Sequence, residues 1–252
     1  MGFDVAAEAY DCFMGRYSRL LSTQFADFAD VQAGQRVLDV GCGPGALTAA
    51  LVSRVGASSV AAVDPSTSFV EAARARNPGV EVHQAAAEHL PFADGSFDAA
   101  LAQLVVHFMS DPVGGLAEMR RVTRDRGVVA ACVWDHAGGR APISLLWQAA
   151  HDVGFEVEDE SHFAGAREGH LAELMELAGL REIRDGVLTV KLEQRSFEEW
   201  WEPFPLGVGP AGAFVASLDP EQRNRLRDRC RELLPPAPFT ITARAWAARG
   251  LA

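Results

Sequence analysis

The chain has 252 residues, 48% of them hydrophobic, which is enough to bury a full core. Its net charge of −11 argues against nucleic-acid binding, because that binding depends on Lys and Arg neutralising phosphates. Its four cysteines form no C-x-x-C pair, so we predict no metal site. No apolar run is long enough for a membrane span, and Met1-Gly2-Phe3-Asp4 does not resemble a signal peptide. We therefore expect a soluble, cytoplasmic protein without membrane contacts.

The first half of the sequence alternates short apolar runs with alanine-rich amphipathic stretches, a pattern typical of βαβ units and a parallel sheet. Strands are predicted near 36–40, 59–63, 80–84, 97–103 and 127–134. Helices are predicted between them at 46–55, 66–76 and 113–122. The later part predicts helices near 143–153, 171–178, 196–201 and 220–234, and strands at 180–192 and 239–247.

These elements predict one α/β domain over 1–252: a doubly wound, mostly parallel, seven-stranded sheet with helices on both faces. We interpret 1–30 as an N-terminal lid helix and 31–136 as the cofactor-binding core. The segments 137–168 and 194–237 are interpreted as a helical insertion, or cap, over the active site.

The first predicted strand contains Asp39 and leads into the glycine-rich turn Gly41-Cys42-Gly43-Pro44-Gly45. Glycine removes the side chain where the backbone must turn tightly and lie against a ligand. The second strand ends at Asp64, where βαβ nucleotide-binding folds place the carboxylate that holds ribose hydroxyls. Together these features indicate a nucleoside cofactor.

The spacing of the glycines narrows the choice of cofactor. Dinucleotide sites use G-x-G-x-x-G, whereas this turn reads G-x-G-x-G. Asp39 would repel a pyrophosphate but suits an ammonium or a sulfonium. The pattern resembles the first motif of class I S-adenosylmethionine (SAM) methyltransferases, a group that includes ubiquinone and menaquinone biosynthesis enzymes. The resemblance implies a Rossmann-like fold and methyl transfer to O, N or C of a small-molecule acceptor, with S-adenosylhomocysteine (SAH) as product.

The resemblance also implies roles for individual residues. Asp39 and the turn backbone would hold the methionine part of SAM, and Asp64 would accept both ribose hydroxyls. A second motif normally places an acid near the adenine, but Ala86 stands there, so we expect the backbone of Ala87 and Glu88 to read the base. The predicted cofactor-binding residues are Arg16, Asp39, Gly41, Cys42, Gly43, Gly45, Asp64, Pro65, Ala87, Glu88 and Gln103.

Acceptor-binding residues are predicted at Tyr10, His107, Trp134 and Trp200. His107 follows the fourth strand and is the candidate general base, with a buried, hydrogen-bonded histidine as the alternative. Arg16 would reach the cofactor carboxylate from the lid, unless that segment is a packing helix. The tryptophans suggest an apolar acceptor pocket, although core packing is their commoner use.

Two other functions are compatible with the sequence. Ala86 leaves open a SAM-binding regulator without transferase activity, and the βαβ pattern leaves open an NAD-dependent oxidoreductase. The sequence allows either a monomer or a homodimer.

Overall fold

In the computed structural model, which describes residues 7–252, seven strands form one sheet in the order β3-β2-β1-β4-β5-β7-β6. The strands are β1 Val37–Val40, β2 Val60–Asp64, β3 Glu81–Gln84, β4 Phe97–Gln103, β5 Thr123–Trp134, β6 Arg181–Gln194 and β7 Phe239–Leu251. β1 to β5 pair in parallel, and β7 runs antiparallel to both β5 and β6. The predicted fold, a mostly parallel seven-stranded sheet, is confirmed.

Ten α-helices occur in the described residues. They are α1 Ala7–Tyr10, α2 Arg16–Phe28, α3 Ala46–Val55, α4 Thr67–Arg76, α5 Pro112–Val122, α6 Ser144–Asp152, α7 His170–Leu177, α8 Phe197–Trp201, α9 Gly209–Ser217 and α10 Pro220–Leu233. A π-helical turn, Asp11–Gly15, joins α1 to α2. No helix within residues 7–252 is long and apolar enough to cross a membrane.

Alternate residues of the central strands pack into two cores on opposite faces of the sheet. In β5, Cys132 and Trp134 belong to the core that includes α2, α3 and α6. Ala131 and Val133 belong to the core that includes α5 and α7. Because both faces are covered by helices, the parallel strands are apolar on both sides, as their near-continuous hydrophobic sequences predict.

The strand order places a crevice at one edge of the sheet. From β1 the chain moves outward to β2 and β3, then returns to place β4 on the other side of β1. In open α/β sheets, ligands bind outside the carboxyl ends of the strands where the order reverses in this way. The glycine turn follows β1, Asp64 ends β2 and Gln103 ends β4, so all three reach this crevice.

Candidate active site

The glycine turn after β1 holds Gly41 and Gly43 in a conformation that favours glycine. Gly41 and Gly43 have φ angles of 70° and 52°, in the left-handed region that residues with a Cβ rarely adopt. A Cβ on Gly41 would lie 2.4 Å from Cγ2 of Val105, whereas a Cβ on Gly43 would meet nothing within 4 Å. Gly41 is therefore packed against the residue that follows β4, while Gly43 faces open space.

Asp64 connects this turn to β2. The Gly43 N–H donates to its Oδ2 (2.8 Å), and the Ser66 N–H donates to its Oδ1 (2.9 Å). The residue is only 6% exposed, and burial raises the pKa of its carboxyl. Each oxygen can accept a second hydrogen bond, so the carboxylate can still receive two hydroxyl groups.

Asp39 lies outside the cavity wall. It is 1% exposed, and its Oδ2 accepts a hydrogen bond from Thr48 Oγ1 of α3 (2.6 Å). Burial raises its pKa to about 7, and its Oδ1 has no hydrogen-bond partner among the described residues. The structure thus ties Asp39 to α3 and does not place it on the cavity wall, where we expected contact with the cofactor.

A cavity opens at the carboxyl ends of β1, β2 and β4. The N-terminal segment, the ends of β4 and β5, and both cap segments complete its wall. It is lined by Tyr10, Phe13, Met14, Gly41, Gly43, Asp64, Pro65, Ser66, Phe69, Gln103, Leu104, Val105, His107, Phe108, Trp134, His136, Ile143, Glu160, Val208, Gly209, Pro210 and Ala211. No Lys or Arg belongs to this wall within residues 7–252.

The structure brings eight of the predicted site residues to this wall. They are Tyr10, Gly41, Gly43, Asp64, Pro65, Gln103, His107 and Trp134. The other predicted residues lie outside it: Arg16, Asp39, Cys42, Gly45, Ala87, Glu88 and Trp200.

Arg16 is held away from the cavity by β6 and α8. Its guanidinium donates to Gln194 Oε1 (2.8 Å) and to the Glu199 carbonyl (3.1 Å). Gln194 is fully buried, so Arg16 satisfies a polar atom that would otherwise have no partner. In this structure Arg16 joins α2 to the end of β6, outside the cavity wall where we expected it.

Trp200, which we predicted to bind the acceptor, lies in the core and outside the cavity wall. It is 3% exposed and packs edge-on against Phe204 at 4.9 Å. Phe197 and Trp201 complete this aromatic cluster. Core packing, the alternative use of these aromatic residues, is what the structure shows.

The remaining four residues outside the wall have local roles. The Cys42 N–H donates to the Val63 carbonyl, and a Cβ on Gly45 would lie 2.4 Å from Asn77 Nδ2. The Glu88 carboxylate accepts from the Ser110 N–H (2.8 Å), and Ala87 is buried in the α5-side core. Neither Ala87 nor Glu88, which we predicted to bind adenine through their backbone, lies on the cavity wall.

The N-terminal segment packs over one side of the cavity. Trp134 Nε1 donates to the Met14 sulfur (3.2 Å), and the Tyr10 hydroxyl pairs with Ser18 Oγ (3.2 Å). An ion pair between Asp11 and Arg76 (2.8 Å) joins the π-helical turn to α4. These contacts hold Tyr10 and Met14 in the wall.

Two histidines lie together on the wall at the ends of adjacent parallel strands. His107 is in the short helical turn Val106–Phe108 after β4, and His136 follows β5. Their ring centroids are 5.8 Å apart. Burial lowers the pKa of His107 well below its usual value and that of His136 to about 4, so both rings are neutral at neutral pH.

Each of these two histidines has one ring nitrogen that makes no hydrogen bond within the described residues. His107 Nδ1 and His136 Nε2 are buried and have no partner among the described residues. His107 is therefore not the satisfied core histidine that we considered as its alternative. Glu160 also reaches the wall, where Trp147 Nε1 donates to its carboxylate and burial raises its pKa to about 7.

His136 and Glu160 were missed by sequence reasoning. The rule that singled out His107, its position after a parallel strand, also applies to His136, two residues beyond Trp134. Glu160 lies in an acidic run within the insertion, where nothing in the sequence distinguishes it from its neighbours.

Comparison with known proteins places this site in a family. Residues 38–131 match the family described as "Methyltransferase domain". An uncharacterized methyltransferase of Mycobacterium tuberculosis is 31% identical over 215 residues, covering 82% of this chain and 76% of that protein. A demethylmenaquinone methyltransferase of Beutenbergia cavernae is 36% identical over 129 residues, covering 50% of this chain and 53% of that protein. Against this enzyme and four other curated relatives, the chain spans between 36% and 57% of the relative's length.

The fold is also similar to that of a solved structure. The YcgJ protein of Bacillus subtilis superposes with a TM-score of 0.59 at 20% identity, covering 94% of this chain and 98% of that one. At this identity the likeness concerns the fold alone. Together with the 31% identical relative and the matched domain, it shows that the chain belongs to the class I SAM-dependent methyltransferases.

Proposed function

We propose that this chain methylates a small-molecule acceptor in the cavity at the carboxyl ends of β1, β2 and β4. One observation carries the proposal: the wall of a mainly apolar cavity presents the Asp64 carboxylate beside a turn with no side chain at Gly43. A buried carboxylate beside bare backbone suits a ribose with a bulky group attached.

The residues present fit SAM. Asp64 has one unused acceptor site on each oxygen for the ribose hydroxyls. The space over Gly43 would admit the chain that links ribose to sulfur. A wall that carries carboxyl groups and no Lys or Arg within the described residues suits a cationic sulfonium.

When bound, SAM supplies an electrophilic methyl group on sulfur, which is already a good leaving group. The chain therefore needs mainly to orient the acceptor and exclude water. Phe13, Met14 and Trp134 supply apolar surface for both tasks, and a hydrogen bond from Trp134 Nε1 to the Met14 sulfur joins the last two. Gln103 Nε2 donates to the Ser18 carbonyl (3.2 Å), which leaves its buried Oε1 as an acceptor on the wall.

The proposal is tested in two steps. Calorimetric titration with SAM and SAH should give saturable binding, which Asp64→Asn weakens. Transfer of a radiolabelled methyl group should then be measured across a library of small molecules. Saturable binding without transfer to any acceptor would favour a SAM-binding regulator, and stabilisation by NAD with none by SAM in a thermal-shift assay would favour an oxidoreductase.

A further inference from the structure

The part of the cavity wall that Asp64 does not occupy carries its own set of polar groups. His107 and His136 lie at the ends of β4 and β5, with ring centroids 5.8 Å apart. Glu160 reaches the same wall from the insertion. None of the three is needed to hold a nucleoside, so they are available to a second ligand.

The packing of β4 against the glycine turn shows where this second ligand would lie. Val105 fills the position where a Cβ of Gly41 would stand, and His107 follows two residues later. Gln103 of β4 is paired in register with Cys132 of β5, so the segments beyond both strands lie side by side. The two imidazoles therefore face the cavity next to the turn, which on the proposed function holds the cofactor.

The charge of this wall limits the chemistry of the ligand. An acceptor with a carboxylate or phosphate would be buried without a protein cation to pair with it, because no Lys or Arg among residues 7–252 lines the cavity. The buried nitrogens His107 Nδ1 and His136 Nε2 have no partner in the described residues. A buried polar atom without a partner is costly, and a ligand that supplies the missing hydrogen bond relieves that cost.

We propose that His107 and His136 form the recognition site for an uncharged acceptor bearing a hydroxyl group on an apolar body. This inference rests on the proposed methyltransferase function and names its substrate class. A neutral imidazole accepts the hydroxyl hydrogen bond at its unprotonated nitrogen, and Phe108 and Trp134 contact the apolar body.

A hydroxyl acceptor, unlike a neutral amine, needs a proton acceptor as it reacts. Its oxygen forms a C–O bond to the methyl carbon while the S–C bond breaks, and that bonding pair stays on sulfur. Its O–H bond also breaks, and the proton passes to an imidazole nitrogen and then to solvent. Two neutral histidines side by side are suited to this task, and a neutral amine would not require them.

The test is a binding measurement on the SAH-loaded protein with four matched probes at pH 7.5. These are p-cresol, its ether 4-methylanisole, the anion 4-methylbenzoate and the cation 4-methylbenzylamine. Calorimetry should give p-cresol an affinity at least about tenfold above that of each other probe, because it alone is an uncharged hydrogen-bond donor. The wild-type comparison needs no variant and so does not depend on the folding of one.

Variants then assign the preference to the histidines. The double substitution His107→Phe, His136→Phe should reduce the ratio of p-cresol to 4-methylanisole affinity to about one. His151→Phe, at an exposed position on α6, is the matched control and should leave the ratio unchanged.

Several results would overturn the inference: no saturable binding of p-cresol, equal affinity for cresol and its ether, tighter binding of the cation or the anion, or a ratio that survives the double substitution. SAH titration separates this failure from failure of the proposed function. If SAH does not bind the wild-type protein, the proposed cofactor site itself is wrong.

Discussion

Asp64→Asn should weaken SAM binding strongly while changing stability little. The wild-type carboxylate accepts hydrogen bonds from the Gly43 and Ser66 N–H groups and, on our account, from both ribose hydroxyls. Asparagine keeps the shape but has one oxygen and no charge. Hydrogen bonds to charged groups contribute about 1.5–3 kcal/mol each, so losing one and weakening the other should cost about 2 kcal/mol or more. That corresponds to a Kd about 30-fold higher.

The effect on stability is the balance of two opposing changes. The asparagine NH₂ faces either the Gly43 or the Ser66 N–H and leaves it without an acceptor, at a cost of about 1–3 kcal/mol. The substitution also removes a buried charge whose raised pKa shows that the site disfavours ionisation. Because these changes oppose each other, we expect the thermal midpoint to stay close to that of the wild type.

The assay is calorimetric titration of SAM into both proteins at pH 7.5, with thermal unfolding as the check on folding. Asp94→Asn is the control, because it removes an aspartate charge from a side chain that is 82% exposed. Its Kd for SAM should match that of the wild type. A folded Asp64→Asn protein with a wild-type Kd would refute the assignment of Asp64 to the ribose.

Three further predictions test the supporting structure. Burial holds the folded-state pKa of Asp39 at about 7, above its unfolded value near 3.9, so the wild type loses stability as pH rises between these values. Urea unfolding should therefore show Asp39→Asn gaining about 2 kcal/mol relative to wild type from pH 5 to pH 7, and a constant difference would contradict this reasoning. Gly41→Ala should lower the free energy of unfolding by about 2–4 kcal/mol through its positive φ and its clash with Val105, and Val105→Ala should recover part of that loss. A Gly41→Ala protein as stable as the wild type would exclude that clash. Arg16→Ala should cost about 1–3 kcal/mol by leaving Gln194 Oε1 without a partner, with an unchanged Kd for SAM. A tenfold weaker Kd would restore Arg16 to the cofactor site.

Much of the fold could be predicted because local pattern and global topology agree. Buried parallel strands are apolar on both faces, so β1, β2 and β4 stand out in the sequence. Helix α9, Gly209–Ser217, was not predicted, because Gly209 and Pro210 disfavour a helix and its formation depends on tertiary packing. The start of α9 also contributes to the cavity wall, so that part of the site could not be predicted either.

The parts of the site in which backbone geometry determines the residue type could be predicted. The parts that depend on the contacts of long side chains could not. Gly41 and Asp64 follow from the turn and the strand end. Arg16 has a long, flexible side chain, and its partners Gln194 and Glu199 are distant in sequence. Only the folded structure therefore shows which groups its guanidinium contacts. Glu160 likewise reaches the wall only because the insertion folds back onto it.

The most direct test of the account is a crystal structure of this protein with bound SAH. We expect the nucleoside in the cavity between β1, β2 and β4, with both ribose hydroxyls within hydrogen-bonding distance of the Asp64 carboxylate. The remaining space should be bounded by His107 and His136. SAH bound elsewhere, or a ribose with no contact to Asp64, would contradict the account.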